Sequence, residues 1–135
     1  MADPEGTTFG VIRATGGDPD DYLAELGEWA WLELWASDME RAARFYSPIG
    51  GYEVERETDG TGKALLQLSA GGFGRASIRT TLFPKLPPVW IPFLRVADAG
   101  ITAARVLEAG GRLVIEPRPD RLDGIFDGTV AGEDD

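Results

Sequence analysis

Trp29, Trp31, Glu33 and Trp35 alternate along one short segment and set a single carboxylate among three indoles. In an extended strand these four side chains share one face, with Ala30, Leu32 and Leu34 on the other. Glu33, set between indoles, has two physical fates. It pairs with a basic residue such as Arg79 or Arg95, or it stays desolvated, with its charged form disfavoured, and acts as a general base or meets a ligand cation. The tryptophans in turn either fill a core or offer faces for stacking. Tyr52 and Gln67 are further candidates, as polar groups that orient a ligand in a largely apolar cleft.

Composition narrows the rest. Among 135 residues there is no histidine and no cysteine. Imidazole proton shuttles, Ser-His-Asp catalysis, thiolate nucleophiles and His- or Cys-based metal sites are thereby excluded. One carboxylate beside indoles does not make the three-ligand site that a catalytic metal needs, so neither a metal nor a cofactor is expected. The formal charge of −10 repels nucleic acid and anionic lipid at long range, and it attracts cations. No apolar run approaches the ~18 residues of a membrane span. The opening Met1-Ala2-Asp3-Pro4-Glu5 is acidic where a secretory signal is basic, so a cytoplasmic protein is expected. Gly71-Gly72-Phe73-Gly74 lacks the Lys-Ser/Thr of a phosphate loop and reads as a hairpin turn.

The elements that must position these residues follow from their flanks. Thr7 to Ile12 reads as a short strand behind the turn Asp3-Pro4-Glu5-Gly6. A linker leads to a short helix, with Asp18 as N-cap, Pro19 at the first position and Gly27 at its end. The strand Trp29–Ala36 comes next. Ser37 or Asp38 then caps a helix carrying Met39, Ala42, Ala43, Phe45 and Tyr46, which Pro48 and Gly50-Gly51 stop. Strands follow at about 52–57, 64–69 and 75–82. A second round has a strand at 89–96, Asp98 before a helix at 101–109, Gly110-Gly111 and a strand at 112–116. Shifting the numbering by 60 lays Asp38 on Asp98 and Gly50-Gly51 on Gly110-Gly111, which is an internal repeat.

Trp31-Leu32-Glu33-Leu34 leading into Asp38, Arg41-Ala42-Ala43-Arg44-Phe45-Tyr46, Gly50-Gly51-Tyr52, Trp90-Ile91-Pro92-Phe93 leading into Asp98, and Gly110-Gly111 together resemble the vicinal oxygen chelate superfamily. That superfamily comprises the glyoxalase, bleomycin-resistance and extradiol dioxygenase proteins. The resemblance spans roughly residues 28 to 116. It implies an α+β fold of two βαβββ modules, whose curved mixed sheet encloses a central cleft, and it turns the tryptophan face toward that cleft. The Asp-Pro-x-Gly turn that closes each module in the family here opens the chain. The expected layout is therefore a displaced final strand at 1–13, a linker helix at 14–27, module 1 at 28–86 and module 2 at 87–135. Such a chain is circularly permuted or a slice of a tandem protein. The family's metal positions fall by this resemblance on Trp31, on Trp90 or Ile91, and on Gly10, none of which binds a metal.

These observations imply a metal-independent small-molecule binding protein of the antibiotic-sequestering kind, taking an aromatic or cationic compound and acting as a homodimer or tandem domain. Trp29, Trp31, Trp35, Tyr52, Gln67, Ile91, Phe93 and Gly10 are its expected ligand contacts. One alternative is a metal-independent isomerase, epimerase or lyase with Glu33 as catalytic base. Another is a structural half-domain that pairs with a second such domain. Elemental analysis of the purified protein, followed by nickel, zinc, iron and manganese titrations, is expected to find no stoichiometric transition metal.

Overall fold

The computed structural model describes residues 1–114. The order of elements is β1 (Trp29–Ala36), α1 (Met39–Gly50), β2 (Glu53–Thr58), β3 (Ala64–Ala70), β4 (Phe73–Thr80), β5 (Val89–Leu94) and α2 (Ala99–Glu108). The strands form one open sheet in the order β2-β3-β4-β1-β5. It is mixed, since β1 runs parallel to β4 and β3 antiparallel to β4. The fold is thus α+β, as the alternation of strand and helix patterns implies.

The chain divides into two compact units. The first, residues 1–23, 31–57 and 65–92, holds α1 and most of the sheet. Its core consists of Leu34, Ala36, Leu66, Leu68, Ala76 and Ile78 from one sheet face, with Ala42, Ala43 and Tyr46 from α1. The i, i+1, i+4 spacing of those helical residues makes the stripe that meets the sheet. Asp38 caps α1 by accepting from the Arg41 amide at 3.0 Å. Pro48 lies inside the last turn, and the helix ends at Gly51, whose φ of 67° is left-handed. Gly71 and Gly72, both at positive φ, turn β3 back onto β4.

The second unit comprises, among the described residues, 24–30, 58–64 and 93–114. In it the Arg95 amide donates to the Glu28 carbonyl (3.0 Å), and the Arg95 guanidinium to the Ala24 carbonyl (2.6 Å). Asp98 caps α2 through the Ile101 amide at 2.8 Å, repeating the Asp38 arrangement. The 60-residue repeat is thus a structural repeat of strand, capping aspartate and helix.

Three expected elements differ. Residues 14–27 contain no helix. Tyr22, Leu23 and Leu26 are 63%, 75% and 59% exposed, so no surface buries the apolar stripe, and so short a helix is marginal without one. Residues 7–12 form no strand beyond a single bridge between Ala2 and Thr8. Residues 112–114 are not in a strand either, and the remainder of that segment and of module 2 lies outside the described residues.

The N-terminal segment is held by side chains instead. Asp3, 7% exposed, accepts from the amides of Glu5 and Thr7 (both 2.9 Å) and from the Tyr46 hydroxyl (2.8 Å). The Glu5 carboxylate accepts from the Ser37 and Asp38 amides just ahead of α1, where the helix dipole favours an anion. Phe9 then meets Phe45 and Tyr46 edge to face. Burial, reinforced by the Asp3 carboxylate, raises the Tyr46 hydroxyl well above its ordinary value of 10.0.

Tyr46→Phe strands a buried Asp3 oxygen and is expected to cost about 1–3 kcal/mol at neutral pH. Because the folded-state pKa is raised, this contribution is complete below pH 10.0 and is lost as the pH climbs above it. Urea midpoints should therefore fall from pH ~8 to pH ~11 in the wild type and fall less in Tyr46→Phe. Equal slopes for the two proteins would refute the account.

Candidate functional site

β1 separates two environments, each within the first unit. On one face Glu33, 1% exposed, faces Arg79, also 1% exposed, with Arg79 Nε 3.0 Å from Glu33 Oε1. Trp35 Nε1 donates to the same carboxylate oxygen at 2.9 Å, and Ser77 Oγ donates to Oε2 at 2.7 Å. Trp31 Nε1 in turn donates to Ser77 Oγ at 2.9 Å. Parallel pairing produces the cluster, since it sets Glu33 beside Ser77 and Trp35 beside Arg79. Gly74 on β4 leaves room for the indole, because a Cβ there would lie 3.1 Å from the Trp31 ring.

Of the two fates open to Glu33, the structure shows pairing, and with Arg79. The cation preference expected from a lone carboxylate loses its basis, because the guanidinium cancels that charge at contact distance. Trp35 is buried in the cluster and stacks obliquely near Phe83, whereas Trp29 is 68% exposed at the start of the strand. Gln67 sits opposite Ser77 across the β3–β4 ladder, and its amide, in the orientation that satisfies it, donates to the Glu57 carboxylate at 2.7 and 3.0 Å. Ile91 and Phe93 are half-buried on β5.

The other face carries a cavity of about 370 Å³. Phe9, Gly10 and Val11 form one side, Leu32, Leu68 and Ala76 the sheet side, and Tyr46, Ile49, Tyr52, Trp90 and Arg75 the remainder. Of the expected contacts, Gly10 and Tyr52 meet here, while Trp31, Glu33, Trp35 and Gln67 do not. Tyr52 is admitted by Gly50, where a Cβ would lie 2.1 Å from its ring. At the wall Trp90 Nε1 donates to the Tyr46 hydroxyl (3.2 Å), and the two rings pack edge to face. Arg75 is the single charged side chain lining the cavity among the described residues. Its guanidinium holds the Asp21 carboxylate in a two-pronged ion pair and donates to the Ala70 carbonyl at 3.0 Å.

Sequence reasoning singled out neither Arg75 nor the Asp3–Tyr46–Trp90 chain. Tyr46 and Trp90 were visible inside the two repeated motifs, but nothing local links them. Among the described residues no cluster of three or more carboxylates could hold a metal ion, and no helix is long and apolar enough to cross a membrane.

Fold and site together define an α+β protein with a mixed sheet, a buried ion pair on one face and an apolar cavity on the other. The chain is similar to the proteins named "Putative glyoxylase CFP32" of Mycobacterium bovis and Mycobacterium tuberculosis, at 27% identity over 117 residues in each case. That match takes in 87% of the chain and 45% of each relative, so the chain spans about half the length of the curated relatives it matches. No protein-family model matches the chain.

Removing one partner of a buried pair leaves the other charge uncompensated. Glu33→Ala is therefore expected to lower stability by about 3–5 kcal/mol in chemical denaturation, and a loss under about 1 kcal/mol would show that Arg79 finds water instead.

Proposed function

We propose that the chain is a small-molecule binding protein of the glyoxalase and bleomycin-resistance type, taking an apolar, aromatic compound in the cavity beside α1. The single observation that supports this reading is the cavity itself. Its volume, about 370 Å³, falls in the range of ligand pockets, and its walls are aromatic and aliphatic with few polar groups. Trp90, Tyr52 and Phe9 supply the stacking faces that the sequence had suggested for the tryptophans of β1. The similarity to proteins named as glyoxylases supports the type but not the ligand. Glu33 as a catalytic base gains no support from the geometry, since both its oxygens are engaged.

A second reading is favoured by the length of the relatives. They carry more chain than the matched portion, which suits a half-domain that pairs with another such domain, in tandem or as a dimer. Sedimentation at several concentrations separates a dimer from a monomer.

The binding reading is tested by titrating a panel of aromatic compounds, followed by tryptophan fluorescence and calorimetry. Saturable binding without turnover is expected. Trp90→Ala should weaken it by on the order of 1–3 kcal/mol, and Trp31→Ala, on the opposite face, should leave it near wild type. The reverse pattern would move the ligand to the Glu33 face.

A further inference from the structure

We infer that the cavity selects anions, binding aryl or compact apolar carboxylates through Arg75, and that Asp21 occupies the anion position in the free protein. The inference rests on reading the cavity as a ligand site and adds the ligand's charge. Its first support is the lining. Ten of the residues there are uncharged, so the one cation, Arg75, sets the sign of the ligand that an otherwise apolar space accepts. A guanidinium presents a planar fork of N–H donors that matches a carboxylate at two points.

The second support is that such a complex already exists within the chain. Both Asp21 oxygens accept from the Arg75 fork, so the Asp21 side chain displays how a carboxylate docks on this guanidinium. The pairing lowers the Asp21 carboxyl below its ordinary value and raises the guanidinium. Yet Asp21 belongs to a stretch without helix or strand, and its side chain is 45% exposed. An ion pair so open to water contributes little to stability, so an incoming carboxylate displaces it cheaply. The guanidinium itself is anchored independently of Asp21. It donates to the Ala70 carbonyl, and its carbon lies 5.2 Å from the centroid of the Phe73 ring. Arg75 therefore keeps its place when Asp21 lets go, and the apolar body of the ligand lies against Leu32, Leu68 and Trp90.

Three probes of one shape test this: 1-naphthoate, 1-naphthamide and 1-naphthylmethylamine, titrated by calorimetry against the intact chain at constant ionic strength. Naphthoate should bind roughly tenfold or more tightly than the amide, with the amine weakest. Arg75→Gln should erase the preference, bringing naphthoate down to the affinity of the amide. Asp21→Asn, a surface change that leaves the fold alone, should tighten naphthoate several-fold without affecting the amide, since the internal competitor is gone. Equal affinities for the three probes, or a naphthoate affinity untouched by Asp21→Asn and Arg75→Gln, would overturn the anion site while leaving the cavity a ligand site. If the amide and the naphthoate both fail to bind, the cavity reading falls, and the anion site with it.

Discussion

Glu33 and Arg79 lie side by side in the interior on neighbouring parallel strands, each 1% exposed. Taking two such charges from water costs several kcal/mol per ion, and the attraction between them offsets this only when their remaining hydrogen-bonding groups are met. Trp35 and Ser77 meet those of the carboxylate, and Trp31 orders Ser77. The arrangement tolerates one register alone. Slipping β1 by one residue against β4 would carry Glu33 to the opposite face and put Leu34 among charges. The ion pair therefore fixes which side of the sheet is apolar. Leu34, Ala36, Ala76 and Ile78 fall on the α1 side as a consequence, and the cavity opens where Leu32 continues that face beyond the tight core, beside Ala76.

A second polar device closes the same face. Asp3 organises its own turn through two backbone amides and then binds the Tyr46 hydroxyl, which also accepts from Trp90. One buried carboxylate thus ties the N-terminal segment to the middle of α1 and, through the hydroxyl, to β5. Glu5 adds a charge-assisted contact at the start of the helix. The segment needs no ladder of strand hydrogen bonds to be held, which explains how residues 9–11 leave the bridge at Thr8 and run on to wall the cavity.

The sequence announced whatever depends on periodicity. Strand β1 is legible from Trp29 to Ala36, because eight residues of alternating side chains have no helical alternative. Both helices, their capping aspartates and the repeat of 60 were legible for the same kind of reason. The helix expected at 14–27 had good local signals in Asp18, Pro19 and Gly27. Local signals do not supply a burying surface, and the chain there spends its polar groups on Arg75 and Arg95 instead. The site was legible by halves. Composition excluded the metal chemistries of His and Cys, and the Glu33–Arg79 pairing was one of two stated outcomes. Which outcome holds depends on the β1–β4 register, and no single segment encodes that. Arg75 was invisible because its neighbours come from a distant stretch, a hairpin and the far face of the sheet.

Charge acts on this molecule at two ranges, and the two have opposite signs. The formal charge of −10 sets a repulsive field for anions, but that field is screened over a Debye length of about 8 Å at physiological ionic strength. It therefore governs the approach of a ligand more than its bound state. At contact the balance is local. On the Glu33 face the nearest carboxylate and guanidinium cancel, so neither sign of ligand gains there. At the cavity the guanidinium is matched by a carboxylate that is open to solvent and sits on irregular chain, and such a pair is the easier one to exchange. A carboxylate and a guanidinium thus form a permanent strut on one face of the sheet, as Glu33–Arg79, and an exchangeable contact on the other, as Asp21–Arg75. What separates them is burial: the side chains are 2% and 1% exposed in the first pair, against 34% and 45% in the second.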